Sequence, residues 1–297
     1  MSFIQEKGIS VVICFYNSSE RITPTMKSIF SQEGLEDISW ELILVDNAST
    51  DTSVALAQQL IVEAAFPNAT IVSEAKPGLN YARKKGIDTA QYDTVLFCDD
   101  DNWLNPTFVA RSYHFLKEND AYGVVGGNGV EACEVDPPDW FEKFKSIYAI
   151  GCRRDGDVTN VYGAGMCFRK SIFDDFEPKM TDRKGKSLSS GGDSEMCNYA
   201  VAKGYKIRQL CDNTFQHFIP KDRLTKSYLY RMARGMGQTK AQLILIKKNN
   251  SKMATGIFYR MRLDTKKLFT HVFKLDNVRF VFELNRVYSY WITLIRA

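Results

Sequence analysis

Short apolar runs that read as buried strands alternate with helical segments in the first part of this 297-residue chain. The runs are rich in β-branched residues and end in turn-forming residues, which is typical of strands buried on both faces of a parallel sheet. They cover residues 9–15, 40–45, 69–73 and 94–98. Apolar residues at helical spacing separate them. The sequence therefore predicts an α/β fold with an open, Rossmann-like, mostly parallel sheet flanked by helices.

Polar side chains stand at the points where three of these strands end. Asn17 follows the first strand, Asp46 the second, and the triplet Asp99-Asp100-Asp101 the fourth. Ligands of such sheets gather beyond the carboxyl ends of the strands, so we expect these residues to converge on one crevice. Three adjacent carboxylates repel one another, which a divalent metal or ordered hydrogen-bond donors would offset. A solvated turn is the alternative, because Asp and Asn are common turn formers.

The composition, with 44% hydrophobic and 12% aromatic residues, supports a sizeable core. The seven cysteines are odd in number and scattered, without a CxxC pair, so neither a disulfide framework nor a zinc site is predicted. Residues 1–8 do not resemble a signal peptide, and no window approaches the roughly 18 uninterrupted apolar residues of a membrane span. We therefore expect a cytoplasmic protein.

The net charge of +4 hides an uneven distribution of charged residues. Residues 218–297 hold 17 Lys or Arg against 4 acids, and aromatic residues are interleaved with them. Helices of this composition suit the inner face of an anionic membrane, which we expect the region 219–297 to contact peripherally. A packed helical appendage or a homodimer interface would use similar residues. Nucleic acid is not expected as a partner, because it would explain the basic tail but not the acidic crevice.

Four motifs in order resemble glycosyltransferase family 2, whose members have the GT-A fold. They are residues 11–17, 41–51, 78–87 and 99–106. The resemblance spans roughly residues 9–217. It implies a catalytic domain over 1–218, with a nucleotide-sugar-binding half at about 1–105 and an acceptor-binding half at about 106–218, followed by a helical region at 219–297. It also implies an inverting, metal-dependent transfer of a sugar from a nucleotide diphosphate, most often UDP, to a hydroxyl of a glycan or lipid-linked oligosaccharide in cell-surface polysaccharide synthesis.

The resemblance assigns donor-binding roles to four residues outside the acidic triplet. Asp46 would accept a hydrogen bond from the nucleobase, and Tyr16 and Asn17 would line the same pocket. A carboxylate at a strand end suits an imide N–H donor, although Asp46 would also serve in an Asx turn or a helix cap. Arg83 is a further candidate for the donor, and its ordinary role would be that of a helix-surface arginine.

The triplet would be the DXD element of that family, in which one acid contacts the ribose and another coordinates Mn²⁺ or Mg²⁺. The register is ambiguous, because Asp99 and Asp101 fit one spacing and Asp100 and Asp101 fit another. Both include Asp101, which we therefore assign to the metal, with Asp99 or Asp100 beside it. His217 stands where relatives place a histidine that reaches the metal or the diphosphate. Hard oxygen ligands and a diphosphate favour Mg²⁺ or Mn²⁺ over zinc.

An inverting transfer needs a base for the acceptor hydroxyl, and the segment 192–195 resembles the Glu-Asp motif that supplies it. Asp193 is the candidate base and Glu195 the second choice, while an N-terminal helix cap is the structural alternative for Asp193. The chain departs from the family pattern at Gly192, where glutamate is frequent. That departure raises the question of what orients Asp193.

Two other classes of protein remain open from the sequence. A sugar-1-phosphate nucleotidyltransferase would share the α/β nucleotide site and acidic metal ligands, but it should have a glycine-rich, basic loop after the first strand, and residues 16–19 offer neither. A non-catalytic protein that binds nucleic acid or an anionic surface would explain the basic tail alone.

Overall fold

The computed structural model describes residues 6–152, 154–180, 182–183, 188–247 and 277–296. The strands are β1 (Glu6–Phe15), β2 (Trp40–Asp46), β3 (Ala69–Ser73), β4 (Tyr92–Asp99), β5 (Asn102–Leu104), β6 (Tyr122–Cys133), β7 (Gly156–Val158), β8 (Met166–Arg169) and β9 (Lys206–Ile219). The α-helices are α1 (Ile22–Phe30), α2 (Ser53–Glu63), α3 (Leu79–Thr89), α4 (Phe108–Glu118), α5 (Gly192–Ala202), α6 (Lys226–Lys247) and α7 (Asn277–Arg296).

The first four strands form the parallel half of one sheet, in the order β3-β2-β1-β4. Their register aligns the strand ends, since Phe15 lies opposite Asp46 and Cys14 lies opposite Asp99. The polar residues that follow these strands therefore meet at one edge of the sheet, as the sequence predicted.

The second half of the sheet is mixed, because β8 runs antiparallel to both β4 and β6. The strand β9 is parallel to β6 and antiparallel to β5 and β7. The sequence pattern does not predict β5, β7 or β9. The first two span only three residues each, and burial along the long β9 alternates, so it lacks the continuous apolar run that marks a fully buried strand.

The core lies on both faces of the sheet. Val11 and Ile13 of β1 belong to a cluster that includes apolar residues of α1, α2 and α4, whereas Val12 belongs to a second cluster with residues of α3 and α5. Successive side chains of a strand point to opposite faces, so helices cover the parallel strands on both sides. This arrangement leaves the strand ends as the accessible part of the sheet.

Three local features bear on the site residues. Helix α5 begins at Gly192, so Asp193 lies inside its first turn. Strand β8 begins at Met166. The residue at the N-cap of α1 is Arg21, and no side chain caps this helix.

A disulfide joins Cys152 to Cys211, contrary to the expectation that the cysteines would not pair. The two residues are 59 positions apart in the sequence, and β9 brings their Cα atoms to 5.4 Å, within the usual range for a disulfide. The two cysteines are far apart in the sequence, and the strand that brings them together was not predicted. The sequence therefore did not reveal this bond. The other five cysteines are free thiols.

The chain divides into two compact units. The first consists of Met1–Glu134, Phe144–Pro178 and Gly192–Ile219, and the second of Val135–Lys143, Lys179–Gly191 and Pro220–Ala297. The predicted basic region 219–297 falls almost wholly in the second unit, and its residues 248–276 and 297 lie outside the described part of the chain. None of the helices within the described ranges combines the length and apolar character needed to cross a membrane.

In the second unit, α6 packs against α7. Gly237 allows the close approach, because a Cβ at this position would lie 2.9 Å from the backbone nitrogen of Tyr290. The Lys240 ammonium lies 4.8 Å from the centre of the Tyr290 ring, and Nε of Arg234 donates to Asn285 over 2.8 Å. The two helices therefore form a hairpin held by packing and polar contacts.

Candidate functional site

The loops after β1 and β2 are tied together at the edge of the sheet. Asp46 accepts a hydrogen bond from the backbone N–H of Ser49 over 3.0 Å, and the Ser49 hydroxyl accepts one from the backbone N–H of Asn17 over 3.0 Å. Asn17 has a left-handed φ of 47° and also accepts from the backbone N–H of Thr50. The structure thus brings Asn17 and Asp46 together, with the exposed Tyr16 next to them.

Asn47, which the sequence analysis missed, orders the loop that leads into α3. Its amide donates to the backbone oxygens of Glu74 and Lys76 over 2.9 and 2.8 Å, and its oxygen accepts from Gly78 over 2.8 Å. This buried amide fixes the start of the helix that carries Arg83. Only its position next to Asp46 at a strand end signals such a role in the sequence.

Each acid of the triplet has a different basic partner. Asp99 Oδ1 lies 3.4 Å from a guanidinium nitrogen of Arg83, and Asp100 Oδ2 lies 3.1 Å from one of Arg21. The hydroxyl of Ser18 also donates to Asp100. The cations of Arg83 and Arg21 offset the charges of Asp99 and Asp100, which lowers the repulsion among the three adjacent carboxylates. Nothing distinctive in the sequence marks Ser18 or Arg21 as partners of the triplet.

The third acid, Asp101, lies next to His217. Nε2 of the imidazole is 3.6 Å from Oδ1 of Asp101, and both side chains are buried. Asn102 lies opposite His217 in the pairing of β5 with β9, so their side chains share a face of the sheet. Among the described residues, neither Nδ1 of His217 nor either polar atom of the Asn102 amide has a hydrogen-bond partner. Buried polar atoms without a partner call for an explanation, and a bound ion or water beside the Asp101 carboxylate is one that the chemistry of these side chains fits.

These residues suit a metal ion that a diphosphate helps to hold. Within the described ranges, no three side chains of His, Cys, Asp or Glu are grouped closely enough to hold a metal. Mg²⁺ is commonly bound by one or two protein ligands together with substrate phosphates and water, and Mn²⁺ accepts similar oxygen ligands. Asp101 can supply one carboxylate oxygen and His217 one imidazole nitrogen, and the diphosphate and water would supply the remaining oxygen ligands. The predicted third ligand, Asp99, has Oδ1 facing Arg83.

Arg83 is not the surface arginine that its position on a helix would favour. Its side chain is only 6% exposed, and the guanidinium lies 5.2 Å from the centre of the Phe97 ring. A Cβ at Gly163 would lie 2.9 Å from Cζ of Arg83, so this glycine makes room for the guanidinium. The buried cation is therefore fixed in place beside Asp99.

The candidate bases lie at the start of α5. Asp193 and Glu195 both belong to its first turn, and Oδ1 of Asp193 accepts from the backbone N–H of Ser194 over 2.6 Å. One turn later, burial raises the pKa of the Cys197 thiol to about 12. A backbone hydrogen bond from Val161 acts to lower this pKa, and the negative charge of Asp193 acts to raise it further. Asp193 and Cys197 are four residues apart and share a face of the helix.

Helix α3 connects the donor acids to this helix. Asn80 and Arg83 lie three residues apart and therefore on one side of α3. Arg83 pairs with Asp99, while the Asn80 side chain packs directly against Gly192 at the start of α5. Two residues of one helix therefore contact Asp99 at the end of β4 and Gly192, the neighbour of Asp193 at the start of α5.

The chain matches a family model described as Glycosyl transferase family 2 over residues 10–176, which is more than half of its length. It is 30% identical over 217 residues to the poly(ribitol-phosphate) beta-glucosyltransferase of Bacillus spizizenii, a match that covers 72% of this chain. The chain spans only 32% of the length of that relative.

Two solved structures share the fold. The mannosyltransferase PcManGT from Pyrobaculum calidifontis, in complex with GDP-Man and Mn²⁺, has a TM-score of 0.64 at 15% identity and covers 98% of this chain and 88% of its own. S. aureus TarS 1-349, in complex with UDP, has a TM-score of 0.54 at 16% identity, with coverages of 98% and 92%. These likenesses confirm the predicted GT-A fold. Because the family model covers more than half of the sequence, and the motifs stand in its order along the chain, this chain belongs to glycosyltransferase family 2.

Proposed function

We propose that this protein transfers a sugar from a nucleotide diphosphate, with UDP as the first candidate, to a hydroxyl of a glycan or lipid-linked oligosaccharide, with inversion and with the help of a divalent metal. The observation that carries the proposal is the alignment of the ends of β1, β2 and β4, which brings Asp46 and the triplet 99–101 to one edge of the sheet. Helix α3 supports the choice of Asp193, because its Arg83 contacts Asp99 and its Asn80 packs against Gly192, the neighbour of Asp193. Family membership favours this function over a nucleotidyltransferase.

The donor would lie along the strand ends. Asp46 would accept from the nucleobase beside Tyr16 and Asn17, because it stands where β2 ends and has one carboxylate oxygen engaged by Ser49. Asp99, supported by Arg83, would accept from the ribose. Asp101 and His217 would hold Mn²⁺ or Mg²⁺, which when bound neutralises charge on the departing diphosphate. The complexes of the two structural relatives, one with UDP and one with GDP-Man and Mn²⁺, support a nucleotide donor and a metal.

The base would be Asp193, with Glu195 as the second candidate. A carboxylate in the first turn of a helix interacts favourably with the positive end of the helix dipole, and only a deprotonated carboxylate can accept a proton. Asp193 would accept the proton of the acceptor hydroxyl as that oxygen bonds to the sugar carbon on the side opposite the leaving diphosphate. Attack from that side inverts the configuration of the carbon.

The acceptor would approach from the side of a cavity of about 250 Å³. Its lining includes Arg154, Asn160, Val161 and Tyr162. The backbone of Val161 hydrogen-bonds the thiol of Cys197, one turn after Asp193, so one residue of the cavity lining contacts the helix that carries the proposed base. Its lining, which is about equally polar and apolar, suits the hydroxyl groups and the ring face of a sugar. The name of the relative, a poly(ribitol-phosphate) beta-glucosyltransferase, supports a role in cell-surface polysaccharide synthesis.

The second unit would place the enzyme on the inner face of an anionic membrane, close to a lipid-linked acceptor. Its excess of basic residues supports this, as do the exposed apolar side chains along α7. A homodimer through the same face is the competing arrangement.

The test is a thermal-shift panel of UDP, GDP and dTDP sugars with and without Mn²⁺, followed by a transfer assay with any donor that stabilises the protein. We expect one donor to raise Tm by several degrees only when Mn²⁺ is present. Absence of metal-dependent stabilisation by all of them would reject the proposal. Asp193→Asn should abolish transfer and leave donor binding intact, and full activity of that variant would assign the base elsewhere.

A further inference from the structure

Gly192 is the first residue of α5 and precedes the candidate base Asp193. Its backbone conformation does not explain why this position has no side chain. Its φ lies outside the left-handed region that would favour glycine. The requirement at this position is therefore the close approach of another group.

That group is the amide of Asn80. A Cβ at Gly192 would lie 2.8 Å from Cγ and 2.9 Å from Nδ2 of Asn80, and it would overlap Oδ1. Cβ atoms essentially never come within 3.0 Å of a heavy atom of another, non-neighbouring residue. Asn80 is buried, and Ala82 and Arg83 on the same helix are buried as well, so a short side chain there has little room to move. Asn80 therefore fills the space that any side chain at position 192 would enter.

The chemistry of Asn80 suits this location. The first N–H groups of a helix have no partner inside the helix, and an Asn side-chain oxygen is among the preferred acceptors for them. Of the Asn80 side-chain atoms, the oxygen lies nearest to the position that a Cβ of residue 192 would occupy. Asn80 belongs to α3 rather than to the loop before α5, so it can fix the start of α5 relative to α3, which also carries Arg83.

We propose that Asn80 is a positioning residue for Asp193: packed into the space left by Gly192, it fixes the first turn of α5 so that the carboxylate faces the acceptor hydroxyl. This inference rests on the proposed function, in which Asp193 is the base. It also answers the question that the departure at Gly192 raised, since the amide of Asn80 takes the place of a side chain at position 192.

The experiment compares the wild type with Asn80→Ala, Gly192→Ala and the double variant, by steady-state kinetics and thermal unfolding. Asn198→Ala is the matched control. Asn198 is an exposed residue of α5, and its side-chain amide donates to the backbone oxygen of Ser194. Asn80→Ala should lower kcat at least about tenfold while the donor KM stays within about twofold, since a small displacement of a catalytic group has a large effect on rate. The control should keep the kcat of the wild type.

The double variant tests the fit between the two residues. Gly192→Ala alone should lower Tm and kcat because its methyl group collides with Asn80. Adding Asn80→Ala removes the collision, so the loss in the double variant should be smaller than the product of the two single losses. Independent losses that multiply would overturn the inference. The inference would also be overturned if Asn80→Ala kept the kcat of the wild type. The same conclusion would follow if a higher donor KM accounted for the whole loss of kcat/KM in Asn80→Ala.

Two readouts separate this inference from the proposed function. If the wild type transfers no sugar, the proposed function fails, while thermal unfolding of the same four proteins still reports whether Asn80 and Gly192 are coupled. If Gly192→Ala does not fold, Asn80→Ala and the milder Asn80→Ser are compared instead. Retained UDP binding with reduced kcat in both supports the inference, and unchanged kcat in both overturns it.

Discussion

The imidazole Nε2 of His217 lies 3.6 Å from Oδ1 of Asp101, and both side chains are buried. This contact joins the long strand β9 to the turn after β4. Asp99 and Asp100 instead form ion pairs with the guanidinium groups of Arg83 and Arg21. A divalent ion carried with the nucleotide would therefore meet, at Asp101, a carboxylate with an imidazole beside it that can share the ion.

His217→Ala should weaken the Mn²⁺-dependent part of UDP binding by about tenfold or more, because it removes one of two protein donors near the ion. Mn²⁺ without UDP should stabilise even the wild type little, since two donors alone bind it weakly. Calorimetric titration of UDP with and without Mn²⁺ measures both effects. His114→Ala is the control, because His114 is exposed on α4. An unchanged metal dependence in His217→Ala would remove His217 from the metal site.

Asp99→Asn and Asp100→Asn should have different effects, although the two residues are adjacent. The Asp99 side chain is 30% exposed and that of Asp100 is 16% exposed and bound by both Arg21 and Ser18. We expect Asp99→Asn to raise the donor KM about tenfold with little change in Tm. Asp100→Asn should instead lower Tm by a few degrees, because it leaves Arg21 without its charged partner. Weaker UDP binding in Asp100→Asn at an unchanged Tm would reverse this assignment.

The sequence predicted the parts of the site that depend on local pattern. Buried parallel strands have continuous apolar runs, so their ends, and with them Asn17, Asp46 and the triplet, could be located in advance. The partners Ser18, Arg21 and Asn80 could not, because their contacts depend on how helices pack across the sheet. The mixed half of the sheet escaped prediction for a similar reason: β9 alternates in burial, and its pairing determines where His217 and Cys211 lie.

Asp51 should make the thermal stability of the first unit depend on pH in the acidic range. Burial acts to raise the pKa of Asp51, but hydrogen bonds from the side chain and backbone of Ser53 and from Ser19 outweigh it and lower the pKa from 3.8 to about 2. A folded-state pKa below the unfolded value stabilises the fold above about pH 4, and that stabilisation is lost as the pH falls towards 2. Asp51→Ala should therefore lower Tm by about 2–4 °C at pH 7.

The difference in Tm between the wild type and Asp51→Ala should shrink as the pH falls from 5 to 3, and differential scanning calorimetry across that range measures it. Asp37→Asn is the control, since Asp37 is exposed before β2. A difference that stays constant with pH would mean that Asp51 acts through shape rather than through its charge.

The exposed apolar side chains of α7 should decide whether the protein binds membranes. Leu284, Tyr288 and Ile295 are all exposed, and their spacing of four and seven residues places them along one stripe of the helix. A stripe of this kind, on a unit rich in Lys and Arg, suits insertion among anionic headgroups. Leu284→Glu combined with Tyr288→Glu should therefore abolish flotation with vesicles that contain about one third phosphatidylserine, while Val62→Glu, at an equally exposed apolar position on α2, should not. If the double variant instead floats like the wild type and changes only the mass measured by light scattering, the stripe is a contact between two copies of the chain.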